Sequence, residues 1–114
     1  MLKNRIIIVT ASANGSYSGQ LTLINGMKFS EFKYVHLYLA SANIILDSMM
    51  LEMSLFYNNI NSEGSKTRLI YSFLNPPAYA DIHAISDTQI DIRMYNLPAE
   101  GTSQPYWVTV AGIK

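Results

Sequence analysis

Apolar and polar residues alternate along most of this chain, and clusters of Gly, Asn, Ser and Pro interrupt the alternation. A period of two puts successive side chains on opposite sides of an extended backbone, so the pattern predicts β-strands. The clearest case is residues 33–40, where Val35, Leu37 and Leu39 share one face and Tyr34, His36 and Tyr38 share the other. Residues 89–95 repeat it, with Ile90, Ile92 and Met94 set against Gln89, Asp91, Arg93 and Tyr95. Further strands are predicted over residues 4–11, 17–24, 66–73, 78–85 and 105–113. Asn14-Gly15 and Asn25-Gly26 supply the positive-φ residues of tight turns, and the first pair predicts a hairpin between the first two strands. Pro76 and Pro77 cannot donate to a ladder and end the strand before them. Residues 27–32 read as a linker whose Phe29 and Phe32 dip into the core; residues 41–43, 58–65 and 96–104 read as turns and loops.

One stretch fits two periods. After a short extended piece at residues 44–46, residues 47–57 hold Met49, Met50, Leu51, Met53, Leu55 and Phe56. As a strand, Met49, Leu51, Met53 and Leu55 fall on one face and Met50 and Phe56 on the other, while Met49, Met53 and Phe56 also fit helical spacing. The strand reading is the one adopted. A strand apolar on both faces has to be covered twice, which points to subunit association through Met49, Leu51, Met53, Leu55 and Phe56. Seven to nine short strands without βαβ alternation predict an all-β fold, a single antiparallel sandwich or jelly roll spanning residues 1–114.

Composition narrows the function. Only 14% of the 114 residues are charged, and eight Lys and Arg balance eight Asp and Glu without long runs, so nothing favours phosphate backbones or anionic lipid; no nucleic acid is expected as a partner. Cysteine is absent, which removes disulfides, thiolate metal sites and thiol nucleophiles. The opening resembles a signal peptide, with Lys3 and Arg5 ahead of apolar residues and Ala11-Ser12-Ala13 as a cleavage-like site. Its strongly apolar core covers only residues 6–9, short of the roughly 7–15 residues of a secretory segment, so a strand is expected there. No stretch approaches the ~18 apolar residues of a spanning helix, and no membrane insertion is expected.

Candidate chemistry is sparse. His36 and His83 lie on the polar faces of their strands without paired-ligand spacing. The best metal-like grouping, Asp81 and His83 with Asp87 and Asp91, has the look of ordinary exposed strand residues. Phosphate-cradling and nucleophile-elbow motifs are missing, so the expectation is no enzyme, no metal and no cofactor. The aromatic residues say more. Eight Tyr and one Trp combine apolar rings with polar tips, which suits stacking on sugar rings and equally suits subunit interfaces. The candidate carbohydrate contacts are Tyr38, Tyr79, Tyr95, Tyr106 and Trp107.

Tyr17-Ser18-Gly19 opening Leu21-Thr22-Leu23, a short linker to Phe32, Val35 and Leu37 shortly after, and a last strand Trp107 to Val110 finishing in Gly112-Ile113-Lys114 form an ordered layout. It resembles the carboxy-terminal head domains of bacteriophage tail fibres and tailspikes over nearly the whole chain. The resemblance implies a homotrimeric, extracellular β-sandwich at the virion tail tip that recognises host cell-surface carbohydrate, lipopolysaccharide or capsule. Such heads usually follow a long fibrous region, so it also implies either a piece of a longer fibre or a separately made domain. The alternatives are a structural trimerisation and folding cap, a carbohydrate-binding module of a secreted bacterial protein, or an enzyme whose site carries no recognisable motif.

Overall fold

A computed structural model describes residues 5–13, 15–41, 44–58, 66–97 and 105–114. Of these residues 65% are in strands and 11% in short helical turns, which makes the chain an all-β sandwich. The strands are β1 (Arg5–Ala13), β2 (Tyr17–Thr22), β3 (Tyr34–Ser41), β4 (Ile44–Glu52), β5 (Lys66–Tyr71), β6 (Ala78–Ala84), β7 (Gln89–Tyr95) and β8 (Tyr106–Ile113). Two four-stranded sheets form, a first in the order β1-β8-β3-β4 and a second in the order β2-β7-β6-β5. Every pairing is antiparallel. β1–β8 and β2–β7 join early strands to late ones, as nested jelly-roll strands do, whereas β3–β4 and β5–β6–β7 are local hairpins.

The alternation of β3 and β7 survives intact. Val35, Leu37 and Leu39 are fully buried, as are Ile90, Ile92 and Met94, because both strands sit inside their sheets and turn one face to the other layer. The consecutive isoleucines of β1 obey no alternation because the register slips between Ile7 and Val9. This places Ile8 in a bulge, so Ile8 and Val9 are both buried. The predicted hairpin at Asn14-Gly15 does not form: Gly15 does have a positive φ of 84°, but β1 and β2 belong to different sheets, so the turn carries the chain across the sandwich. Asn14 itself, residues 42–43 and the loop segments 59–65 and 98–104 lie outside the described residues.

The stretch read as a strand over residues 47–57 is corrected. β4 stops at Glu52, and Met53–Phe56 forms a single helical turn, α1, whose Met53 and Phe56 point three residues apart into the core. They are 5% and 0% exposed, so they are core residues rather than interface residues. Met49 and Leu51 pack half-buried against the core, and only Leu55 of the five proposed interface residues is openly exposed, at 61%.

β4 and β5 are the free edges of the two sheets on one side, and Asp47 joins them. Its carboxylate accepts from its neighbour Ser48 N at 2.9 Å and from the β5 edge amide of Ile70 at 2.8 Å. An edge amide satisfied by a carboxylate is closed to strand addition. Asp47→Ala is expected to cost about 1–2 kcal/mol, the scale of a charged hydrogen bond in a solvated setting. Faster hydrogen exchange at the Ile70 amide is the local readout; unchanged protection there would mean that Asp47 does not hold the seam.

Candidate functional site

The two outer faces of the sandwich differ in chemistry. On the second sheet the outward residues include Ser18 and Gln20 of β2, Asp91, Arg93 and Tyr95 of β7, Tyr79, Asp81 and His83 of β6, and Lys66 and Arg68 of β5. Strand register places Arg68, Asp81 and Arg93 in one cross-strand row and Tyr79 and Tyr95 in the next. Arg68 grips Asp81 with two hydrogen bonds, Nε to Oδ1 at 2.7 Å and Nη2 to Oδ2 at 3.0 Å. That bond, then the carboxylate charge, raises the Arg68 pKa despite some desolvation. The guanidinium also lies 4.2 Å from the Tyr79 ring centre, and Tyr79 stacks on Tyr95 with centroids 4.7 Å apart and planes 28° from parallel.

This stack holds the two rings side by side across β6 and β7, with Tyr79 covering one face of Tyr95. Tyr95 also lines a groove of about 470 Å³, together with Ser16, Tyr17, Ser18, Arg93 and Met94. Arg93 borders the groove, its Nε donating to Asp91 at 3.0 Å; a hydrogen bond to Tyr95, then the Asp91 charge, raises its pKa. Gly19, opposite the inward Ile92, makes room for a groove residue: a Cβ there would come 2.5 Å from the Tyr17 hydroxyl, so the absence of a side chain lets the Tyr17 ring fold along the strand. The charges along this face alternate in sign, Arg68, Asp81 and Arg93 in one row and Lys66 and Asp91 in the next, so it offers donors and acceptors without a strong net field.

The five sequence candidates therefore split. Tyr79 and Tyr95 are brought together on the second sheet. Tyr38 and Trp107 sit half-buried on the outer face of the first sheet, at the far side of the molecule. Tyr106 turns inward with Val108 and Val110, is 9% exposed and belongs to the core cluster, which removes it as a ligand contact. Reading tyrosines alone missed Arg93, Ser16 and Ser18; the signal was present, since Arg93 and Tyr95 alternate onto the same face of β7.

His36, on the first sheet, accepts a hydrogen bond at Nδ1 from Arg5 Nε at 3.3 Å and lies 5.3 Å from the Tyr38 ring, with Arg5 itself 5.4 Å from Tyr38. An accepting Nδ1 is an unprotonated one. Burial first, and the Arg5 charge second, lower the His36 pKa. The unfolded chain therefore binds the proton more readily than the folded one. Stability is complete above the ordinary histidine value of about 6.5 and falls as pH drops below it towards the folded-state value. Thermal melts at pH 7.5 and 5.5 are expected to show a smaller loss in His36→Gln than in the natural sequence; equal losses would place the acid sensitivity elsewhere. Among the described residues, no group of three or more His, Asp or Glu side chains is placed to hold a metal ion, and no helix is long and apolar enough to cross a membrane. A scan against protein-family models and searches of curated proteins and of solved structures find no match to this chain.

Proposed function

We propose that this protein is a non-catalytic binding module that takes a neutral, hydroxyl-rich saccharide in the groove beside Tyr95. The observation that carries the reading is the place of Tyr95, a ring stacked on Tyr79, in the lining of that groove. Tyr79, itself covered by Arg68, stacks on this ring, and the groove it lines also holds Arg93 and two serines. A pyranose presents a patch of C–H groups that packs on such a ring, and hydroxyls at its edge that pair with guanidinium donors and hydroxyls. Alternating charge matches a ligand that both donates and accepts, and it argues against an anionic one, because Asp81 and Asp91 flank Arg93, the one arginine among the described residues that line the groove.

The resemblance of the chain's layout to tail-fibre and tailspike heads suggests a setting for this reading: a homotrimeric tip exposed outside the cell on a virion, with host surface glycan as the ligand. A glycan array probed with the intact protein tests it. Selective hits on neutral sugars are expected, little weakened by salt. Tyr95→Ala should reduce binding about tenfold, the scale of one ring contact. No selective hit, or binding indifferent to Tyr95→Ala, rejects the reading. The second reading, a structural cap that assembles without a ligand, draws on a separate observation, the exposed Ile7, Tyr34 and Met50 on the outer face of the first sheet.

A further inference from the structure

Four strands end the two sheets, and three of them carry a feature that discourages a further strand. β1 is broken by the bulge at Ile8, and β4 and β5 are tied to each other through Asp47. β2 has no such device. Its register with β7 runs from Tyr17 to Thr22 without a shift, and its six residues include no charge and no proline. One bond sets the phase of its backbone: Leu23 N donates at 2.9 Å to O of Thr88, the residue directly opposite. Alternation along an antiparallel pair then turns the N–H and C=O of Tyr17, Gly19 and Leu21 towards β7, and those of Ser18, Gln20 and Thr22 away from it. The latter three residues are exposed, and among the described residues no strand pairs with that edge. Donors and acceptors repeating every second residue are the complement of another extended backbone.

We propose that β2 pairs antiparallel with β2 of a second copy about a two-fold axis at Gly19, so that the second sheets of two sandwiches join into one. The strand is self-complementary about that point. Ser18 comes opposite the partner's Gln20 and exchanges both backbone hydrogen bonds with it, in phase with the open groups, and the symmetry repeats the exchange. Gly19 then faces the partner's Gly19 as a non-hydrogen-bonded pair, the closest approach in a ladder at about 4.5 Å between Cα atoms, with no side chain to crowd the axis. Tyr17 comes opposite the partner's Leu21. Both residues are half-buried on the inner face at the end of the sheet, and the pairing covers each with the other. On the outer face the pairing extends the row Asp81, Arg93, Ser18 by the partner's Gln20. That side-chain amide then stands beside the groove that Ser18 and Arg93 line, as a further donor and acceptor. Its role there rests on the saccharide reading; the pairing itself does not.

Sedimentation equilibrium of the full chain at tens to hundreds of micromolar, with hydrogen exchange read at the Ser18 and Gln20 amides, is the test. No saccharide is present, so its outcome is separate from that of the glycan array. An even number of copies is expected: two, or six where a threefold tip also forms. Both amides should exchange at least tenfold more slowly as concentration rises across that range. Gln20→Pro removes an outward N–H and leaves the bonds to β7 in place, so it should stay folded by circular dichroism and halve the mass. The exchange of the natural chain decides the matter should that variant not fold. A single chain, a trimer, Gln20 exchange indifferent to concentration, or a folded Gln20→Pro of unchanged mass would each overturn the proposal. So would a single chain whose Gln20 amide is protected by an added peptide of unrelated sequence, which would give the edge to a foreign strand.

Discussion

Phe29→Ala is expected to remove about 3–5 kcal/mol of stability, the usual cost of emptying a buried phenylalanine site. Against a total of about 5–15 kcal/mol for a domain, that leaves a chain close to unfolding. The position earns the estimate because it joins three connections at one end of the sandwich. Phe29 opens a single 3-10 turn (Phe29–Glu31) between β2 and β3 and is fully buried. Its ring meets Phe56 edge-on at 5.5 Å and Tyr57 at 5.6 Å, both from the α1 crossover between β4 and β5. Its backbone amide donates to Asp87 O at 2.9 Å in the β6–β7 turn, and the next residue, Ser30, donates from N and Oγ to the Asp87 carboxylate at 2.9 and 2.8 Å. Neighbours drawn from three separate segments cannot collapse together into the space a ring leaves. A fall in melting temperature of roughly 15 °C is the expected reading, and a loss below about 1 kcal/mol would show that the end of the sandwich relaxes around the gap.

The part of this fold legible in the sequence is the part where a strand has one wet face and one dry one. Val35, Leu37 and Leu39 and the Gln89–Tyr95 alternation are of this kind, because burial on one side alone writes a period of two. Residues 47–57 misled because two periods meet there. Up to Glu52 the chain is a strand with Met49 and Leu51 facing in and Met50 facing out; from Met53 it is helical, and Met53 and Phe56 use a spacing of three. On the outer side of β4 the apolar Met50 lies exposed between Ser48 and Glu52, so the strand does not need cover along its whole length.

The same cause hid Tyr106 and Trp107. In β8 both faces are apolar or small, so no contrast marks which side is inward; only pairing with β3 shows that Tyr106 follows Val108 and Val110 into the core while Trp107 follows Thr109 and Ala111 outward. Tyr79 and Tyr95 were legible singly but not as a pair. Their stacking depends on the β6–β7 register, set by the turn after Ala84 and not by either strand's own pattern.

Gly112→Ala is the second large effect expected, about 2–3 kcal/mol, in the upper part of the range for overpacking a core. No backbone preference is involved, for Gly112 lies in the regular run of β8 opposite Val35 and Ile6, facing inward. Space is the issue. A Cβ at this position would stand 2.5 Å from both Cγ and Cδ1 of Phe32 and 2.8 Å from Cδ2. Those atoms are the root of the ring, which cannot swing aside without moving the Phe32 backbone or lifting the ring from a site where it is 5% exposed. Gly26, with a positive φ of 69° and nothing within 4 Å of the same added atom, supplies the contrast: alanine there meets only backbone strain of about 1 kcal/mol. A double-mutant cycle separates the causes. If the clash with Phe32 is what costs, Gly112→Ala in a Phe32→Leu background should cost about 1 kcal/mol less than alone, because the branched aliphatic chain withdraws from the contact. Costs that simply add would show that Phe32 is a bystander and that β8 is strained by alanine for another reason.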